Sequence, residues 1–279
     1  MNEIKAYNDI VAKYILGREE TKDILLSFIN AVFEDSDYEQ IKEVEILNPF
    51  NIQEYQTDKL SVLDLKAKDE KERTINIEIQ IRGDRNFAHR SLYYWSRLYS
   101  NQLKSADKFE ILKPVICINL VNFVLEEGYP KAHTCYLLAN KDNPELILTD
   151  HLMIHFLELP KVTDFPGRTR LERWMNYFKN EGSEEEIMNT VIKDEPILEK
   201  AHNEYTKFTA DDKLRLMAIS REMAERDRAN SLYEAERKGR EEGIIESVKN
   251  MLKEDIDIRM IARISGLSIE KIEKIKADI

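Results

Sequence analysis

Only two cysteines, Cys117 and Cys135, occur in 279 residues. Both stand in apolar stretches, with no CxxC and no neighbouring histidine cluster. That excludes a disulfide framework, speaks against zinc, and leads to the expectation of a reduced, cytoplasmic chain. No run of about 18 apolar residues occurs, so nothing is expected to span a membrane. The opening MNEIKAYNDIVAKY lacks the basic start and apolar core of a signal peptide. No long internal repeat is present, and glycine is missing between Ser183 and Lys238, which suits helices. Positive charge is also short. Lys and Arg number 42 against 53 Asp and Glu, a net charge of −11. Such a balance speaks against a nucleic-acid partner unless cations gather locally. What remains is a chain 42% hydrophobic and 34% charged, which is globular.

The apolar spacing lays out an α/β order. TKDILLSFINAVFED places Ile24, Leu25, Phe28, Ile29, Val32 and Phe33 on a helical stripe, with Thr21 as its cap. LSVLDLKAKD and RTINIEIQIR alternate with period two around DEKE and predict a hairpin. NFAHRSLYYWSRLYSNQLKS predicts a helix, and KPVICINLVNFV a buried strand. HTCYLLAN and HLMIHFLELPKV are two further strands. The whole is a sandwich of about 160 residues. The expected organisation is a domain over 1–170, a charged helical region over 171–240, in which Trp174 reads as core, and a small helical tail over 241–279. Within that tail, residues 258–276 have the spacing of a helix-turn-helix around Gly266. Its second helix, SIEKIEKIKADI, lacks the Arg, Asn or Gln run that reads base edges, so a packing or oligomerisation role suits it better.

The hairpin carries the first candidate site. Side chains at i and i+2 share a strand face. Glu78, Gln80 and Arg82 therefore face one way, and Ile77, Ile79 and Ile81 the other. On the preceding strand Asp64, Lys66 and Lys68 oppose Leu63, Leu65 and Ala67. With the turn near 70–73, antiparallel pairing sets Asp64 opposite Glu78 or Gln80, depending on register. Directly opposed residues have Cβ atoms about 4.5–5.5 Å apart, where two ionised acids repel. A divalent cation turns that repulsion into binding, because hard oxygen ligands suit Mg2+. Lys66 and Gln80 add a cation and an amide to the same face. A hairpin with one solvated face shows the same alternation, so the hairpin alone does not select a site.

The next element adds charge. Arg82, Arg85, Arg90, Arg97, Lys104, Lys108 and Lys113 stand against Asp84, Asp107 and Glu110, a local +4 in a chain of −11. Arg90, Tyr93, Arg97, Asn101 and Lys104 recur at three- and four-residue steps as one stripe. Ala88, Leu92, Trp95 and Tyr99 form another, suited to the core. A basic stripe beside an acidic pair suits phosphodiester chemistry, with the cations neutralising phosphates. Arg82, Arg90, Tyr93, Arg97 and Lys104 are the candidate DNA contacts.

Asp64, then Glu78-Ile79-Gln80 fourteen positions later, then FAHRSLYYWSRLYSNQL and LKPVICINLVNF, form an ordered set. It resembles the PD-(D/E)XK nuclease superfamily and, more narrowly, the Rpn family of recombination-promoting nucleases, also described as transposases of that fold. The resemblance implies a mixed central sheet flanked by helices, followed by a helical C-terminal region. It implies metal-dependent cleavage of DNA with Mg2+ or Mn2+, low sequence specificity, and a link to recombination or mobile elements. Asp64 matches the motif aspartate, Glu78 the second carboxylate and Gln80 the final position, with the main-chain carbonyl of Ile79 a further metal ligand. Leu63 stands where the superfamily name has proline. Most of the superfamily has lysine at the position of Gln80. Glutamine carries no charge and takes no proton, so it can only orient the attacking water; Lys66, on the same face, is the candidate to supply the charge.

A third acid from the first helix is implied as well, with Asp9, Glu20 and Asp23 as candidates. His89 and His133 read as surface or packing residues. DNA is the implied partner, and a homodimer is compatible with the pattern. The competing expectation is a catalytically inactive descendant that binds DNA or a protein partner. Whether Asp64 and Glu78 share a metal separates the two.

Overall fold

The computed structural model describes residues 4–50, 65–83, 86–183 and 185–277. Helix α1 (Asp9–Leu16) starts where the Asn8 side chain accepts from the N–H groups of Ile10 and Val11. Helix α2 (Lys22–Asp35) buries Ile24, Leu25, Phe28, Ile29, Val32 and Phe33, the stripe read from the sequence. Thr21 precedes it, but its hydroxyl donates to the Arg18 carbonyl rather than capping the helix.

Strands β1 (Val44–Ile46), β2 (Leu65–Asp69), β3 (Thr74–Gln80), β4 (Val115–Val121), β5 (His133–Ala139) and β6 (Ile147–Glu158) form one six-stranded sheet in the order β1-β2-β3-β4-β6-β5. β3, β4 and β6 run parallel, and the outer pairings are antiparallel. The mixed sheet bears out the expected fold class. Strand β1 was not expected, and at three residues it is too short for alternation to announce it.

Registered neighbours point to the same side of a sheet, which divides its residues cleanly. Ile75 and Ile77 of β3, Ile116, Ile118 and Leu120 of β4, and Leu157 of β6 face the larger core with α1 and α2. That core continues into helix α4 (Arg170–Asn180), which buries Leu171, Trp174, Met175, Tyr177 and Phe178. Thr169 and Glu172 close a reciprocal capping box at its start. Helices α5 (Glu185–Ile192) and α6 (Pro196–Ala210) add Met188, Val191, Leu198 and Phe208 to the same core.

The opposite sheet face is covered by helix α3 (Phe87–Ser100). A smaller cluster of Phe87, Val115, Cys117, Val121, Ile154 and Phe156 lies there. Of the stripe expected to be its core face, Trp95 and Tyr99 pack against this cluster, and the other two residues do not. Ala88 and Leu92 are exposed, whereas Phe87 and Ser91 are buried. Ser91 is tolerated inside because it is hydrogen-bonded to Asn119, so polarity did not mark the outer face.

The chain divides into two compact units, up to Ile219 and from Ser220. The division falls within helix α7 (Asp212–Lys253), 42 residues long. The second unit closes with helices α8 (Ile258–Ser265) and α9 (Ile269–Ala277), whose Ile261 and Ile272 are buried with Val248 of α7. Gly266, at φ +73°, ends α8 in the left-handed conformation that glycine adopts without strain. Among the described residues, no helix is long and apolar enough to cross a membrane.

Candidate functional site

An acid at its own turn closes the β2–β3 hairpin. Asp69 Oδ1 accepts from the N–H groups of Lys71 and Arg73, each at 2.9 Å. Its other oxygen is paired with the buried Arg73 guanidinium, which reaches Tyr38 Oη at 3.1 Å. The ladder then pairs Ala67 with Ile75, Lys66 with Asn76 and Leu65 with Ile77. A slip of one residue would turn Ile75 and Ile77 to the polar face, at about 1.5–3 kcal/mol each. Asn76, Glu78 and Gln80 therefore share a face with Lys66. Asp64 lies outside the described residues.

β3 ends at Gln80, so Ile81 and Arg82 are not part of the strand, contrary to the expected alternation. The ladder stops there because the chain turns toward α3. The Gln80 main-chain carbonyl accepts from Asn122 N–H at 3.0 Å, on the β4 side. Carbonyl directions alternate along a strand, so that of Ile79 points toward the β2 edge.

Helix α3 is anchored above this face by polar contacts from two of its residues, Ser91 and Trp95. Asn119 Nδ2 donates to Ser91 Oγ and to the His155 carbonyl, both at 3.0 Å. Trp95 Nε1 donates to the Val115 carbonyl at 2.9 Å. Asn119 is the registered neighbour of Glu78, so anchoring Ser91 there brings the preceding turn of the helix over β3. One nitrogen of the Arg90 guanidinium, Nη2, donates to Glu78 Oε1 and to Gln80 Oε1, both at 2.8 Å. Gln80 Nε2 donates to the Arg82 carbonyl at 3.2 Å. The Arg90 guanidinium carbon lies 4.8 Å from the ring centre of buried Phe87, a cation–π contact. The Glu78 side chain is 13% exposed and that of Arg90 30%.

A carboxylate, an amide and a permanent cation thus meet on one sheet face. The Glu78 carboxylate and the Ile79 carbonyl are hard oxygen donors, which fit a divalent cation in kind. Among the described residues, no group of three or more His, Cys, Asp or Glu side chains could hold a metal. Of the candidate third acids, Asp9 is buried on α1, and α1 touches β3. Asp23 is exposed and paired with Lys200 at 2.7 Å, and Glu20 is exposed in the turn before α2.

The candidate DNA contacts are less regular than one stripe. Tyr93 is exposed, with the Arg97 guanidinium 5.9 Å from its ring centre. Lys104 is not on the helix: α3 ends at Ser100, Asn101 caps it, and the Lys104 N–H donates to Asp107 Oδ2 at 2.7 Å in the turn that follows. That side-chain acceptor stabilises a turn where helical periodicity was expected to continue. His89 is exposed.

A second polar cluster escaped the sequence reading. His133, expected to have no functional partner, has its Nδ1 2.7 Å from Asp35 Oδ2 and its Nε2 3.0 Å from His155 Nδ1. The two rings stack with centroids 5.3 Å apart. Cys135, for which the sequence shows no neighbouring histidine cluster, lies with Sγ 4.0 Å from His155 Nε2. Pairing of β5 with β6 sets Cys135 opposite His155, a coincidence of register that no local spacing reveals. Burial, aided by repulsion from His133, pushes the His155 pKa down to about 3. Burial raises the Cys135 thiol to about 11, which keeps it protonated and a poor nucleophile.

A sequence profile of the PD-(D/E)XK nuclease family transposases matches residues 6–235. The match takes in the whole sheet, α3 and the helices through α6, and stops short of α8 and α9. No curated protein and no solved structure matches the chain.

Proposed function

Because the chain belongs to the PD-(D/E)XK nuclease family transposases, we propose that it is a divalent-cation-dependent DNA endonuclease of low sequence specificity, serving recombination or the movement of a mobile element. The observation that carries the reading is the half-buried Glu78 carboxylate on the face of β3 turned toward Arg90 and Gln80. Nucleases of this superfamily generally use divalent metals.

In this reading Glu78, the Ile79 carbonyl and Asp64 hold Mg2+ or Mn2+. Asp64 immediately precedes Leu65, whose partner Ile77 immediately precedes Glu78. The cation supplies Lewis acidity and lowers the pKa of water for attack on phosphorus. Glu78 holds it from a strand paired with β4 along its length, so little reorganisation is left for the reaction. Tyr93, Arg97, Arg82 and Lys104 contact DNA phosphates and set its position without reading bases. Lys66, opposite Asn76, lies on the same face and contributes positive charge.

A second reading, a nuclease-like fold that binds DNA or a protein without cutting, is favoured by one observation. Glu78 Oε1 already has a cationic partner in Arg90. Nicking of supercoiled plasmid separates the two readings. With Mg2+ or Mn2+, wild-type protein should nick, and Asp64→Asn and Glu78→Gln should not, at unchanged thermal stability. Failure of wild-type protein to nick with either ion, or nicking by both variants at the wild-type rate, would overturn the endonuclease reading.

A further inference from the structure

Gln80 raises a chemical problem. Cleavage of a phosphodiester builds negative charge on the phosphate oxygens, and a cation close to the attacking oxygen lowers that barrier. A carboxamide supplies none. The contacts of Gln80 answer the problem from another element. Its Nε2 donates to the Arg82 carbonyl at 3.2 Å, and its Oε1 accepts from Arg90 Nη2 at 2.8 Å. Turning the amide over would set two donors face to face and two acceptors face to face. The carbonyl of residue 82 therefore orients the amide, and the amide aims at the arginine. The same Nη2 reaches Glu78 Oε1 at 2.8 Å. Phe87, one turn earlier on α3 and fully buried, offers its ring to the guanidinium at 4.8 Å. Three partners on two elements thus hold one charge.

The ion pair does not explain itself as a stability device. At 30% and 13% exposure, the attraction in such a pair is largely offset by the cost of desolvating its two ends. Nor is Arg90 placed as a surface phosphate contact. Arg97, two turns on, is exposed and rests near Tyr93, whereas Arg90 turns inward to the carboxylate.

We propose that Arg90 is the electrostatic catalyst of the site, delivering from helix α3 the positive charge that strand β3 lacks, and that Gln80 is a positioning residue which orients Arg90 rather than water. The inference rests on the nuclease reading and refines it. No bond to Arg90 is made or broken: the guanidinium stays protonated at any working pH and stabilises charge on the phosphate. Before DNA and cation arrive, the same charge neutralises Glu78. Arg90 therefore opposes cation binding at Glu78 while favouring the reaction, and those two effects have opposite signs.

Two measurements test this. The first is Ca2+ binding by calorimetry, which needs no turnover. Arg90→Gln should bind Ca2+ about threefold to tenfold more tightly than wild type, because a neighbouring positive charge is gone. The second is plasmid nicking with Mg2+, where Arg90→Gln should be slower by about a hundredfold. A role in folding alone would weaken both together. A purely inhibitory Arg90 would give tighter Ca2+ and faster nicking, and either pattern overturns the inference. A charge exchange is the second arm. Gln80→Lys alone crowds two cations and should be slower than wild type, and Gln80→Lys with Arg90→Gln should recover to within about tenfold of it. Arg90→Lys, which keeps the charge but not the fork, should fall between wild type and Arg90→Gln. No recovery in the exchanged pair, shown folded by its melting curve, would also overturn the inference. If wild-type protein never nicks, the nuclease reading itself fails, and the Ca2+ titration still reports whether Arg90 opposes a cation at Glu78.

Discussion

Two polar clusters lie on opposite faces of one sheet, and they solve the cost of buried polarity in opposite ways. The Glu78–Gln80–Arg90 cluster keeps its charges, pairs them, and remains partly open to solvent. The His133–His155 cluster gives up charge. His155 is completely buried and held neutral, and the one carboxylate, on Asp35, sits at the outer end. Charge retained at a solvent boundary is available to a ligand; charge removed by desolvation stabilises the fold but has little to offer an anion. In the proposed reading the α3 face carries the chemistry, whereas the neutral cluster on the α2 face serves the fold.

The largest effects should separate the faces outright. Glu78→Gln should slow Mg2+-dependent nicking by about a thousandfold and move the melting temperature little, since the pair it breaks is partly exposed. His155→Ala should do the reverse. A cavity and the loss of the partner of His133 Nε2 should cost about 2–4 kcal/mol of stability, measured by urea unfolding, with nicking per folded molecule unchanged. Loss of nicking in folded His155→Ala would erase the distinction.

A smaller effect is expected from pH. The unfolded chain takes up a proton at His155 near 6.5, the folded chain only near 3. Between those values the unfolded state binds more protons, so this contribution to stability is intact above 6.5 and declines as pH falls. The slope approaches about 1.4 kcal/mol per pH unit. Melting curves from pH 7 to pH 5, before most carboxylates titrate, should show wild type losing stability faster than His155→Phe. Parallel curves would mean that His155 is not held neutral by burial. The smallest effect concerns the outer basic residues. Arg97→Ala should reduce the salt slope of duplex binding in Ca2+ by about one unit without changing sequence preference. An unchanged slope would remove Arg97 from the DNA interface.

Much of this was legible in the residues. The period-two runs around Glu70 announced the hairpin, and the stripe from Ile24 to Phe33 announced α2 with its buried face. Trp174 was placed in the core. The ordered motif set pointed to the family that the profile match over residues 6–235 shows. Less legible was α3, where Ser91 took a core position that hydrophobic periodicity assigns to Leu92. Periodicity weighs side chains by polarity, and a satisfied buried hydroxyl defeats that weighting. Lys104 failed for a similar reason, since the Asp107 side chain stabilised a turn where a stripe was extrapolated.

The sequence by itself determined which residues share a strand or helix face, because 2.0 and 3.6 residues per repeat follow from backbone geometry alone. It placed Glu78 and Gln80 side by side, with the family motif around them. Which charge answers them was decided only when Asn119 caught Ser91 and set α3 over β3, bringing Arg90 to Glu78 across twelve positions of chain. The His133–His155 contact arose the same way, from the register of β5 on β6. Periodicity sets the direction in which a side chain points; what it meets there depends on how separate elements dock, and that is a property of the packed core.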